Sequence, residues 1–315
     1  MRRNPIAEFL ARRAVVILDG ALATELERRG ADLHDPLWSA KVLLEAPALI
    51  RSVHRDYFEA GADVATTATY QASFEGFERR GIDGRRAEAL MRLGVTLALE
   101  ARDAFWSERS HRADRLRPLV AASVGPFGAM LADGAEYRGG YGVSDAVLTA
   151  FHRPRMEVLV QSGADLLACE TLPSLSEALL IAQLLQQFPR AWAWISFSCR
   201  DGEHTCEGQR IGDCVARLNE FPQVVSVGVN CTPPQFMSSL LARMRDHTDK
   251  PLLVYPNSGE RYEPVAKRWL GHADAAGFAS QARHWYEQGA RLIGGCCRTT
   301  PQDIRSLRQG LLQCA

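Results

Sequence analysis

Gly289-Ala290-Arg291-Leu292-Ile293-Gly294-Gly295-Cys296-Cys297-Arg298-Thr299-Thr300-Pro301 contains a whole passage from helix end through strand to helix start. A glycine able to adopt left-handed backbone closes the helix, and residues 291–296 follow as a short apolar run. Thr300 with Asp303 three residues on, and Pro301 between them, then opens the next helix. The same units recur. Gly61-Ala62-Asp63 and Gly163-Ala164-Asp165 precede apolar runs, while Ser174 with Glu177 and Thr232 with Gln235 have the spacing of helix starts.

Working outward, Val/Ile/Leu/Ala-rich runs lie at residues 15–18, 62–69, 119–124, 164–170, 191–198, 224–231, 252–255 and 291–296, separated by longer amphipathic stretches. Continuous apolar runs of this length are expected of parallel strands covered on both faces. Eight strand and helix pairs predict a (β/α)8 TIM-type barrel, a single domain over residues 1–315, whose site gathers at the C-terminal strand ends. A doubly wound open sheet is the competing arrangement, but it does not by itself bring the first and last strands together.

Polar residues fall where the barrel needs them. Asp19 follows the first run, Glu170 ends the fourth, Cys231 ends the sixth, Asn257 follows the seventh, and Cys296 with Cys297 ends the eighth. Three thiolates brought together form a soft ligand set for zinc with one position left for water or substrate. Against this, free cysteine is among the most often buried residue types. Gly294 and Gly295 favour the metal reading, because they remove side chains where the backbone turns beside it, and the vicinal pair is poorly shaped for an ordinary disulfide.

The chain has 315 residues, is 46% hydrophobic, and balances 37 basic against 37 acidic side chains to a net charge of +0. That neutrality offers no electrostatic reason to expect nucleic acid or an anionic membrane as partner, which leaves small molecules. Glu8, Arg12 and Arg13 interrupt any signal-peptide core, and no apolar stretch is long enough to span a bilayer. Eight cysteines without an export signal read as cytoplasmic thiols. Cys169, Cys199, Cys206, Cys214 and Cys314 read as packing or surface residues, as do His54, His152 and His284. Oligomeric state is not readable from the sequence.

Residues 228–231 together with Gly294-Gly295-Cys296-Cys297 resemble the zinc signature of the homocysteine S-methyltransferases, most closely the S-methylmethionine-dependent branch. Leu18-Asp19-Gly20-Ala21, Leu37-Trp38-Ser39-Ala40, Cys169-Glu170-Thr171 and Tyr255-Pro256-Asn257-Ser258-Gly259 extend the resemblance over nearly the whole chain. It implies Zn2+ held by Cys231, Cys296 and Cys297, homocysteine as acceptor, and a sulfonium donor, S-methylmethionine or S-adenosylmethionine, with methionine as product. Glu170 would hold the homocysteine ammonium, and Asp19 with the Gly20 backbone would shape the pocket.

Zinc binding deprotonates a thiol outright, so no catalytic residue beyond the metal site is required. Trp38 and Tyr70 either face the sulfonium, since aromatic faces attract cations without methylating, or pack the barrel. Asn230 and Asn257 either anchor the amino-acid carboxylate or orient loops. Residues 125–142, rich in glycine, are expected to be a lid or a solvated loop. Betaine is the alternative donor, and a non-enzymatic zinc or thiol-binding protein is the alternative class.

Overall fold

The computed structural model describes residues 3–33, 39–259, 261–263, 268–270 and 275–312. The apolar runs become parallel strands β1 (Val16–Ile17), β2 (Val64–Thr66), β3 (Leu119–Val124), β4 (Leu166–Leu172), β5 (Ala193–Phe197), β6 (Val224–Asn230) and β7 (Leu252–Tyr255). A short antiparallel hairpin, β8 (Arg261–Glu263) with β9 (Arg268–Leu270), precedes the last barrel strand, β10 (Ala290–Ile293).

Hydrogen bonding orders the eight-stranded sheet β1-β10-β7-β6-β5-β4-β3-β2. The ring closes where Leu18 bridges Val64 in parallel, with Asp63 N donating to Ile17 O at 2.7 Å and Asp19 N to Val64 O at 3.1 Å. Helices lie between successive strands, so the architecture is a (β/α)8 barrel. The expected runs all became strands, β3 and β7 without a change of boundary.

Alternation along each strand divides the apolar residues between two cores. Val16, Val64, Ala121, Leu166, Trp194, Leu253 and Leu292 fill the barrel interior. Ile17, Ala65, Val120, Leu167, Ile195, Val227 and Ile293 face the helical jacket. Helix Pro5–Leu10, capped by the Asn4 side chain, adds Ile6 and Phe9 to the interior cluster. Burying each of those side chains contributes roughly 1.5–3 kcal/mol.

The helix-to-strand glycines behave as the repeat requires: Gly61, Gly163 and Gly289 have φ of 116°, 92° and 109°. Ser174 accepts from Glu177 N at 3.3 Å, and Thr300 with Asp303 forms a reciprocal pair, so both expected helix starts are real. Thr232 departs from expectation. Its hydroxyl donates to Asn230 O and accepts from Cys199 N, both at 2.9 Å, while a 3-10 turn, Pro234–Phe236, precedes helix Met237–Met244. Thr232 thus ties the end of β6 to the β5 loop and caps nothing.

His54 sits in helix Pro47–Ala60 at 1% exposure, with neither ring nitrogen hydrogen-bonded. Burial lowers its pKa to about 4 from an ordinary 6.5. The unfolded chain therefore takes up the proton first, and stability present above pH 6.5 is lost as pH falls toward 4, by about 2 kcal/mol at pH 5. His54→Leu should lose less melting temperature than wild type between pH 7 and pH 5. Parallel acid limbs in thermal melts would show that other groups set the acid sensitivity.

Candidate metal centre

The fold brings together three thiols from opposite parts of the chain. Cys231 follows β6 in left-handed backbone, φ 49°, and Thr171 at the end of β4 is left-handed too, φ 60°. Such conformations cost a non-glycine residue of order 1–3 kcal/mol unless the surroundings hold them. Asn230 supplies that hold: its Oδ1 accepts from Thr171 N at 2.7 Å and Ser196 Oγ at 2.8 Å, and its Nδ2 donates to Thr171 Oγ1 at 2.8 Å. The amide is spent on protein groups, so loop orientation is the role its geometry supports.

Cys296 and Cys297 arrive where β10 runs alongside β1. A Cβ at Gly294 would lie 2.5 Å from Leu18 Cβ, and one at Gly295 would lie 2.3 Å from Thr299 Oγ1. Only glycine permits that approach, which Gly295 N donating to Asp19 O at 3.0 Å then holds. The β7 loop fixes the far side, with Cys296 N donating to Pro256 O at 2.7 Å and Ser258 N to Cys297 O at 3.0 Å.

The Sγ atoms of Cys231, Cys296 and Cys297 lie within 4.8 Å of one another, and those of Cys231 and Cys297 are 3.6 Å apart. They are the one group of three or more side chains able to hold a metal found among the described residues. Thiol hydrogen bonds from Cys296 and Cys297 draw the Cys231 pKa below the ordinary range. The donor set is soft and leaves room for a fourth ligand, so it fits a thiophilic metal. Cys169, Cys199 and Cys214 are buried elsewhere, Cys206 is half-buried, and Cys314 lies outside the described residues.

Two buried carboxylates lie at the same strand ends, and Glu170 feels the charge of Cys231. Glu170, on β4, accepts from Ser123 Oγ and from Tyr255 OH, the latter at 3.1 Å, and burial raises its pKa to about 7. Asp19 accepts from Thr66 N at 2.8 Å and Thr66 Oγ1 at 2.9 Å, yet burial still pushes it up to about 8. Asp19 therefore stitches the β1–β2 seam as well as bordering the mouth. Gly20 passes under Thr299 and Tyr57 with no room for a Cβ. Asn257 is 6% exposed, and its Oδ1 has no hydrogen-bond partner. Tyr70 hydrogen-bonds Thr171, and its buried phenol senses the charges of Glu136, Cys231 and Glu170. Trp38 lies outside the described residues.

Residues 125–142, expected to be a lid or a solvated loop, take a definite structure. They form helix Phe127–Leu131 and a 3-10 turn, Ala135–Tyr137, which brings Tyr137 OH to 3.1 Å from Cys231 Sγ. Buried Glu177 anchors both ends, accepting from Phe127 N at 2.7 Å and Tyr141 OH at 3.2 Å, with His152 Nε2 at 2.8 Å. The segment thus packs one side against the thiols through Tyr137, while Asp133, Arg138, Gly140 and Gly142 remain exposed.

Fold and site together define a (β/α)8 barrel that gathers three thiols and a buried carboxylate at its C-terminal strand ends. The profile described as homocysteine S-methyltransferase matches residues 16–311. The chain is 53% identical over 304 residues to Homocysteine S-methyltransferase YbgG of Bacillus subtilis, covering 96% of each chain. It is 51% identical over 308 residues to Homocysteine S-methyltransferase of Escherichia coli, covering 98% of each. The metallated form of the homocysteine methyltransferase MmuM from Escherichia coli superimposes with a TM-score of 0.88 at 49% identity, over 97% of this chain and 99% of that one. The chain belongs to the homocysteine S-methyltransferase family.

Proposed function

We propose that this protein transfers a methyl group from a sulfonium donor, S-methylmethionine or less efficiently S-adenosylmethionine, to homocysteine, giving methionine. The observation that carries the proposal is the convergence of Cys231, Cys296 and Cys297 within 4.8 Å at the mouth where Glu170 is buried. Those three cysteines would hold zinc. Bound there, zinc would supply the Lewis acidity that keeps a substrate thiol deprotonated at neutral pH.

The chain's own groups bind and orient. Glu170 takes the homocysteine ammonium, whose charge would offset the cost that burial imposes on the carboxylate. Asp19 and Gly20 wall the pocket, Tyr70 turns a ring toward the donor cation, and Asn257 offers its free Oδ1 to a substrate N–H. Transfer breaks the donor's S–CH3 bond and forms the acceptor's, and the electron pair left behind neutralises the sulfonium. Negative and positive sulfur are both consumed, so a mouth closed by residues 125–142 and poor in water favours the reaction.

No helix among the described residues is long and apolar enough to cross a membrane. We place the protein in the cytoplasm, as a single domain acting on small molecules. A donor panel with homocysteine as acceptor tests the reading: methionine should form fastest from S-methylmethionine, more slowly from S-adenosylmethionine, and negligibly from betaine. Fastest turnover with betaine would overturn the donor assignment. A purified protein without zinc, active with any of the three, would overturn the metal.

A further inference from the structure

Beside Tyr137, in the same 3-10 turn, stands a carboxylate with no assigned role. The Glu136 main chain is pinned by Ser198 Oγ, which donates to Glu136 O at 2.9 Å. Its side-chain Oε2 is sealed from solvent and has no hydrogen-bond partner. A buried carboxylate oxygen without a donor is costly, and such a group is retained where something else supplies the hydrogen. The position limits what that is. The next residue's hydroxyl lies 3.1 Å from Cys231 Sγ, and the Glu136 carboxylate is near enough to that thiol and to Tyr70 for their charges to interact. Burial, with the nearby Cys231 adding to it, raises the Glu136 pKa to about 7, and the Glu136 charge is felt by Tyr70.

We infer that Glu136 is a specificity-determining residue that accepts a hydrogen bond from the α-ammonium of an amino-acid methyl donor. The inference rests on the proposed sulfonium reading and adds the part of the donor that is recognised. A free acceptor oxygen requires an N–H or O–H. A sulfonium has neither, nor does a quaternary ammonium, whereas an amino-acid donor carries an ammonium at its far end. Holding the sulfonium itself with a carboxylate would also oppose the reaction, because it stabilises a positive charge that the transition state loses. With Glu170 assigned to the acceptor's ammonium, the two carboxylates divide the substrates: one on the barrel wall, one on the covering segment.

Glu136→Gln keeps the side chain's shape and removes its charge. For the zinc-loaded variant we expect the KM for S-methylmethionine to rise at least tenfold, homocysteine KM to change less than twofold, and zinc content to stay normal. Calorimetric Kd for S-methylmethionine should rise with the KM, and Glu136→Asp should recover part of the loss. An unchanged donor KM, or an equal rise for both substrates, overturns the assignment. A homocysteine KM that rises alone shows that Glu136 serves the acceptor, which overturns it too. Wild-type protein that makes no methionine from S-methylmethionine fails at the earlier step and removes the donor reading itself, whereas an active wild type with an unaffected variant removes Glu136 alone.

Discussion

Cys231→Ser should abolish zinc binding and methyl transfer together while the barrel stays folded. Serine keeps the size of the side chain and its hydroxyl fits the same left-handed position, but it offers a hard, weakly acidic oxygen where a thiolate is needed. Loss of an outer-shell partner alone typically costs roughly 10- to 100-fold in metal affinity or activity, so loss of a ligand should cost at least the upper end. The fold has little stake in this thiol, because neither apolar cluster includes Cys231. Metal analysis, a methionine assay and a thermal melt on one preparation decide the matter. Cys296→Ser and Cys297→Ser should match it, and Cys314→Ser should behave as wild type. A full equivalent of zinc with normal turnover in Cys231→Ser would end the three-thiolate account.

Glu170→Gln should leave zinc in place and weaken homocysteine by about 2–3 kcal/mol, ~30- to 150-fold in affinity, since a charge-assisted contact to an ammonium is lost. The substitution is nearly isosteric. Its stability cost should be small, because Gln Oε1 can still accept from one of the two hydroxyls, Ser123 Oγ and Tyr255 OH, that now reach the carboxylate. Normal zinc content with unchanged homocysteine affinity would remove Glu170 from substrate binding and leave it as a link between β3, β4 and β7. A donor KM that moves while homocysteine does not would exchange the roles of Glu170 and Glu136.

Apolar runs made the barrel legible because parallel strands buried on both faces carry their own signal. The thiol trio was legible for a related reason: strand ends and site coincide in this fold, so Cys231 and the Cys296-Cys297 pair marked the mouth. Hairpin β8–β9 escaped notice because its strands, Arg261–Glu263 and Arg268–Leu270, are short and rich in charge. Thr232 had the spacing of a cap, but two tertiary hydrogen bonds outcompeted that local preference. The contact of Tyr137 with Cys231, and the place of Glu136 beside it, had no local pattern to announce them. What puts Tyr137 on Cys231, 94 residues away, is the docking of residues 125–142 onto Glu177, and no periodicity encodes that.

Because β10 lies between β1 and β7, the chain acquires ring and metal capacity at the same moment. Until residues 290–293 insert, a nascent chain is an open sheet with two bare edges and only one of its three ligand thiols in position. On the proposed zinc reading, partly made chains would have no complete thiolate trap with which to withdraw the metal. On that reading, the zinc-to-protein ratio of a preparation would count the molecules whose last strand went home.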